Sequence, residues 1–370
     1  MNMLERMRLA RGNGRLGAAL LLPLWLGSVQ SQEAGDTVFL KDGSTETGTV
    51  SDEIYAGLVL QPEKGGKKTI PWDKVQSVEY ADAPPDLGNG LAALNADQYE
   101  DALARFQALL AGDEKPRPMI QQQALFFAAY AQQRAGQLDQ AIAGYQELLK
   151  AFPQSRFLRS VGDGFLSLYT QKGDLAGAKT ALDALEAGTK DQSFAAELAI
   201  LRGILLLAEK MPAEARAQFE AAEKATNAPA SVQLEARLWR ARTLVSEGKR
   251  AEAEPIFSEL KGTAAAARVQ SGAWNGLGEL WAEDGRSKRD GDRILDGLYA
   301  YLRTVVQYEP LLGEPTDEYE RALAGSATCF KYISELEQNN ERKKLYAQRS
   351  RERLDQLQKE FPGSAYLQNN

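Results

Sequence analysis

Gly136-Gln137-Leu138-Asp139-Gln140-Ala141-Ile142-Ala143-Gly144-Tyr145-Gln146-Glu147-Leu148-Leu149-Lys150-Ala151-Phe152-Pro153-Gln154-Ser155 decides the fold of this chain. Ala141, Tyr145 and Leu148 recur at i, i+4 and i+7, which places them on one face of a helix. Gly136 stands five residues before the first of them and fits a turn between two antiparallel helices. Pro153 cannot continue the helix, and Ser155 can cap the next one. The stretch therefore reads as one amphipathic helix, bounded at both ends, whose apolar face needs a neighbour.

That pattern repeats. A small residue is followed four residues later by an aromatic residue or leucine, then three further on by an apolar or small one. The five sets are Ala102/Phe106/Leu109, Ala141/Tyr145/Leu148, Ala178/Leu182/Leu185, Ala215/Phe219/Ala222 and Ala253/Phe257/Leu260, spaced by 39, 37, 37 and 38 residues. Gly136, Gly173 and Gly248 each lie five residues ahead of their set. Gly90, Ala129, Leu166, Gly203 and Ala241 lie twelve ahead, mostly small residues where a paired helix must come close. A helix pair cannot bury its apolar face alone, so such units stack into a solenoid.

The pattern resembles the tetratricopeptide repeat, a helix-turn-helix unit of about 34 residues. Gly136 to Pro153 matches a near-complete second half-repeat, and Trp274-x-x-Leu277-Gly278 fits the family's opening motif. The longer spacing, Leu166 at a small-residue position and a long turn expected at Glu283–Arg293 depart from the pattern. Glu318–Leu336 and Glu341–Phe361 read as a final helix pair, with Gly325 at its close-packing position. Leu148 to Ser155 and Leu357 to Ser364 both end in Phe-Pro-x-Ser, similar to the envelope tetratricopeptide proteins of bacteria of the BamD and Tol-Pal-associated types. That resemblance implies a non-enzymatic adaptor of the envelope.

In the family the first helix of each unit lines a concave groove. The resemblance thus places Phe126, Tyr130, Arg134, Asp163, Ser167, Ile204, Leu207, Leu238, Arg242, Asn275 and Glu279 on a wall suited to an extended protein or peptide partner. The alternative is a module for a cell-wall or other polysaccharide, for which Tyr130 and Trp281 are the groove-side aromatic platforms.

Residues 36–81 have a different period. Five short β-rich runs are separated by turn residues, Asp42-Gly43 and Gly65-Gly66 among them. Strands this short bury little unless the sheet curls into a small barrel. Val38-x-Leu40-x-Asp42-Gly43 followed by Gly48-x-Val50 resembles the start of Sm-like and SH3-like barrels. Such a barrel would offer a second contact or an oligomer edge. Residues 82–88, with Pro84-Pro85, read as a linker. The expected fold is α+β multidomain: a five-stranded barrel, then an all-α superhelical solenoid of six or seven helix pairs over residues 89–370.

The first 31 residues carry Arg6, Arg8, Arg11 and Arg15, a 12-residue apolar run from Leu16, and small residues before Gln32. This is the layout of a secretory signal peptide, with cleavage expected after Ser31. Export to the periplasm or cell envelope follows, with no cysteine after the apolar run for lipid attachment and no later stretch apolar enough to span.

Composition narrows the chemistry. The 370 residues contain one cysteine, Cys329, and no histidine. Disulfides within the chain, cysteine-rich zinc sites and every histidine-dependent catalytic centre are excluded. The net charge of −7 argues against a nucleic-acid partner. Asp284-Gly285-Arg286-Ser287-Lys288-Arg289-Asp290-Gly291-Asp292 has Leu295 where a calcium loop needs glutamate, and reads as a solvated loop between helices. No catalytic residue, cofactor or metal is expected.

Overall fold

The computed structural model describes residues 35–189, 191, 194–263 and 266–369. The expected signal segment lies outside them. Five antiparallel strands come first: β1 (Asp36–Leu40), β2 (Thr45–Ile54), β3 (Gly57–Pro62), β4 (Lys68–Ile70) and β5 (Val75–Glu79). Their order in the sheet is β4-β3-β2-β1-β5, so the last strand returns to pair with the first. Asp42-Gly43 makes the first hairpin, with Gly43 at φ 86°. Among the described residues no ladder joins β4 to β5. Val38, Val50, Leu58 and Leu60 fill the inner face at 0–1% exposure.

Among the described residues fourteen α-helices follow, in seven pairs. They are α1 (Pro85–Asn95) with α2 (Tyr99–Ala111), α3 (Pro118–Arg134) with α4 (Leu138–Ala151), and α5 (Leu158–Lys172) with α6 (Leu175–Gly188). Then come α7 (Ala195–Ala208) with α8 (Pro212–Glu223), α9 (Ala230–Ser246) with α10 (Arg250–Leu260), α11 (Ala267–Lys288) with α12 (Gly291–Gln307), and α13 (Asp317–Leu336) with α14 (Asn340–Glu360). The architecture is α+β: an antiparallel sheet, then a helical-repeat solenoid.

All fifteen residues of the five recurring sets are buried, none exposed by more than 9%. The paired small residues explain why. A Cβ on Gly90 would stand 2.6 Å from the Phe106 ring, and one on Gly203 would stand 2.4 Å from the Phe219 ring. Where Leu166 replaces the small residue, its unit carries Leu182 in place of an aromatic ring, and both join one buried cluster. Volume moves from one helix to the other and the packing is kept.

The turns within pairs share one device. Gly136, Gly173 and Gly248 have φ of 74°, 70° and 79°. At the corresponding positions of the other two units stand Asp97 and Lys210, with φ of 58° and 63°. All five units thus turn on a left-handed residue, glycine in only three of them.

Two sequence expectations are corrected. The linker is shorter than residues 82–88, because Pro85 opens α1, where a missing N–H costs nothing. Glu283–Arg293 is not a long turn. Helix α11 runs to Lys288, Arg289 takes φ 54°, and Asp290 caps α12 by accepting from the Asp292 and Arg293 amides. Gly285 is needed for packing, since a Cβ there would lie 2.6 Å from the Ile294 backbone nitrogen.

The sheet is built into the solenoid. Residues Asp36–Asn370 form one compact unit, and the inner face of the sheet shares a core with Phe106, Phe127 and Tyr145. Ile54 bridges to Ser155, and the Tyr55 amide donates to the Gln154 carbonyl at 2.8 Å. The Phe-Pro-Gln-Ser end of the deciding stretch is therefore where the sheet attaches.

Candidate functional site: the inner wall of the solenoid

Side chains from units far apart in the chain meet on the faces of the first helices. Arg159 on α5 pairs with Asp163 at 3.1 Å and with Glu235 on α9 at 2.7 Å. Arg268 on α11 reaches Asp163 at 3.1 Å, Glu235 at 3.4 Å and Asp317 on α13 at 3.5 Å. Arg242 on α9 pairs with Glu318, to which Asn275 on α11 donates twice at 2.8 Å. First helices from the third to the seventh pair can converge so only if they line the inside of a tight coil.

The last pair of the coil also meets the second. Arg134, at the end of α3, donates to the Glu360 carbonyl at the end of α14, 3.1 Å away and 226 residues on. Its guanidinium lies over the rings of Tyr99, Tyr130 and Phe361 at 5.3, 6.0 and 5.2 Å. The α12–α13 connector reaches α3 as well: at Gly313 a Cβ would lie 3.1 Å from Phe126 and 3.2 Å from Phe127.

Electrostatics of the wall follow from burial. Five carboxylates, Asp163, Glu197, Glu235, Asp317 and Glu318, share it with Arg159, Arg242 and Arg268. Burial pushes the Glu197 carboxyl up to about 7, against the pull of Arg159. Glu235 is as deeply placed, but Arg159 and Arg268 outweigh its burial and hold it at about 2. Burial raises the Asp317 carboxyl as well, with the neighbouring Glu318 adding to the effect. The Glu197 Oε2 atom is buried and accepts no hydrogen bond among the described residues.

The residues expected on the groove divide into three groups. Phe126, Tyr130 and Leu238 are packed rather than offered, at 1%, 7% and 1% exposure; the Phe126 ring stacks on Phe157 at 4.1 Å. Ile204 and Leu207 are half-buried against neighbouring clusters. The polar members are already paired: Arg134, Asp163, Arg242 and Asn275 as above, Glu279 with Arg321 at 2.6 Å, and Ser167 accepting from Gln171 at 3.2 Å. Sequence reasoning missed Arg159, Glu235 and Arg268. They lie on the same helix faces, four residues before Asp163, three before Leu238 and seven before Asn275, so extending each face by a turn or two would have found them.

The aromatic platforms of the polysaccharide alternative are covered. Tyr130 lies under Arg134, and Trp281 lies between Lys261 and Arg293 while donating to Glu254 at 2.7 Å. Among the described residues no group of histidine, cysteine or carboxylate side chains is placed to hold a metal ion, and no helix is long and apolar enough to cross a membrane. Burial raises the Cys329 thiol to about 12, so it stays protonated and unreactive.

Residues 123–155 match the family model for the tetratricopeptide repeat. Over these residues the chain is similar to one tetratricopeptide repeat. This one spans most of α3, all of α4 and the Phe-Pro-Gln-Ser segment on which the sheet docks. No curated protein matches the chain. Among solved structures it is similar to a tetratricopeptide repeat protein from Parabacteroides merdae, at 18% identity over 72% of this chain and 98% of that one, with a TM-score of 0.39. It is similar to pilF of Pseudomonas aeruginosa, at 18% identity over 62% and 93%, TM-score 0.38. Human IFIT1, solved as a dimer with PPP-AAAA, gives 16% identity over 74% of each chain, TM-score 0.37. Likeness at these levels assigns no function.

Proposed function

We propose that this chain is a non-enzymatic scaffold that binds a protein or peptide partner along the inner wall of its solenoid and works outside the cytoplasmic membrane, in the periplasm or envelope. The observation that carries the reading is the wall itself. Successive first helices present it as a strip that combines the half-buried apolar steps Ile204 and Leu207 with arginine–carboxylate pairs. Such a strip suits an extended polypeptide, which brings apolar side chains and charges at regular spacing. The absence of histidine from the sequence supports a binding role over a catalytic one. The basic and apolar first 31 residues support export.

The test is affinity capture from an envelope extract with the full chain as bait, paired with a polysaccharide sedimentation assay. One protein enriched with the chain, and lost when Arg134 and Asp163 are both replaced by alanine, is the expected result. Sedimentation with a cell-wall polymer and no protein capture would overturn it in favour of the carbohydrate reading.

A further inference from the structure

The connectors between successive pairs follow a rule with one exception. Residues 112–117, 152–157, 189–194, 224–229 and 261–266 are all six long, whereas 308–316 is nine. The exception is Tyr308-Glu309-Pro310-Leu311-Leu312-Gly313-Glu314-Pro315-Thr316, with Leu-Leu-Gly-Glu between two prolines. It does not take the short path between α12 and α13. It crosses to α3, where Leu312 packs against the first core cluster and Gly313 sits on the Phe126 and Phe127 rings. Gly313 has φ 81°, and a side chain there would also press on both rings. Leu311, one step away, is 72% exposed, so the segment is held by Leu312 and Gly313 rather than sunk whole into a core.

We infer that the 308–316 connector is the solenoid's own substitute for its partner: an in-cis peptide seated where a partner's proline-flanked Leu-Gly turn binds after displacing it. This rests on the binding role proposed above and names the chemistry of the partner. Three observations carry it. The connector is non-helical and proline-bounded, and its centre is a compact turn that a short partner segment can reproduce, closed by the Glu314 amide donating to the Leu311 carbonyl and the Leu311 amide donating to the Glu314 carboxylate, both at 3.0 Å. It contacts the wall at Phe126, on the face that presents Tyr130 and Arg134 a turn or two further along α3. Its tethers are independent of its centre, because Arg268–Asp317 and Arg242–Glu318 anchor the start of α13 by themselves. The centre can therefore leave without unseating the last pair.

Replacing residues 309–315 by a glycine-serine linker of equal length should leave the fold intact and open the seat. The probe is a fluorescein-labelled peptide with the sequence of residues 308–316, read by anisotropy. A tether of this kind competes at an effective concentration on the order of 1 mM, so the opened chain should bind a peptide of roughly 0.1 mM affinity about tenfold more tightly than the full chain does. The same peptide carrying L312D should not bind. Gly313→Val in the full chain is a second way to dislodge the connector, and it decides the matter if the linker variant fails to fold. Equal binding to open and closed chains, or no binding to a folded open chain, would overturn the inference. Capture of an envelope protein equally well by open and closed chains would sink it while leaving the scaffold reading standing.

Discussion

Replacing Gly203 by alanine tests the packing rule that builds the solenoid. The added Cβ would stand 2.4, 2.6 and 2.9 Å from three atoms of the Phe219 ring, and that ring is 0% exposed. Neither the ring nor the helix can yield without disturbing the cluster made with Ala215, Ile200 and Val232. Overpacking of this kind costs about 1–3 kcal/mol. Glycine to alanine inside a helix contributes about 1 kcal/mol the other way, so the raw effect understates the clash. Gly88 supplies the control: it lies in α1 with nothing within 4 Å of its missing Cβ. Gly88→Ala should stabilise, and Gly203→Ala should fall below it by about 1–3 kcal/mol in urea unfolding followed by circular dichroism. Adding Phe219→Leu should recover part of the loss, as the chain itself does with Leu166 and Leu182, giving a coupling of about 0.5–3 kcal/mol in the double-mutant cycle. If Gly203→Ala stabilises as much as Gly88→Ala, or the two substitutions add, the small-to-large pairing is not what sets the repeat.

Four further expectations can be measured directly. Lys210→Gly should raise stability by about 0.5–1 kcal/mol, because lysine pays to hold φ 63° and glycine does not, and a melting curve reads the gain. Arg242→Ala should cost about 3–5 kcal/mol by stranding the buried Glu318 carboxylate, whereas a paired Arg242→Met, Glu318→Leu variant should lose much less. Glu197 keeps a proton in the folded chain up to about pH 7 that the unfolded chain releases near pH 4.3, so its contribution is complete below that lower value and is lost as pH rises through 7; Glu197→Gln should flatten the fall in melting temperature between pH 5 and 8. Mass spectrometry of the chain from an envelope fraction should find its first residue near Gln32, and an intact Met1 there would refute cleavage.

The repeat was legible because its signal is local. An alanine, a ring and a leucine on one helical face can be counted along the chain, and every one of those positions is buried. Left-handed turns were legible only where glycine marks them; Asp97 and Lys210 adopt the same backbone with residues that give no sign of it. The stretch from Glu283 to Arg293 misled because glycine, aspartate and arginine together look like a solvated loop. In the fold, Asp284 and Lys288 pair one turn apart and Gly285 lets two helices touch. The residues expected on the groove are mostly packed or paired, and that pairing was invisible in the sequence. Arg159 meets Glu235 and Arg134 meets Glu360 only because the coil is tight, and its pitch is a sum of small rotations that no single unit encodes.

The contact between Arg134 and the end of α14 changes how this array should come apart. A stack of repeats in which each touches only its neighbours frays from its free ends, and the last pair is ordinarily the first to open. Here the last pair is fastened to the second: Arg134 holds the Glu360 carbonyl and the Phe361 ring, while the sheet clasps the other flank of that second pair through Ser155. The last pair is then not a weak end. Amide exchange in α14 should be slowed to the level of the interior helices, and loss of the Arg134 side chain should speed it there, at a distance of 226 residues along the chain.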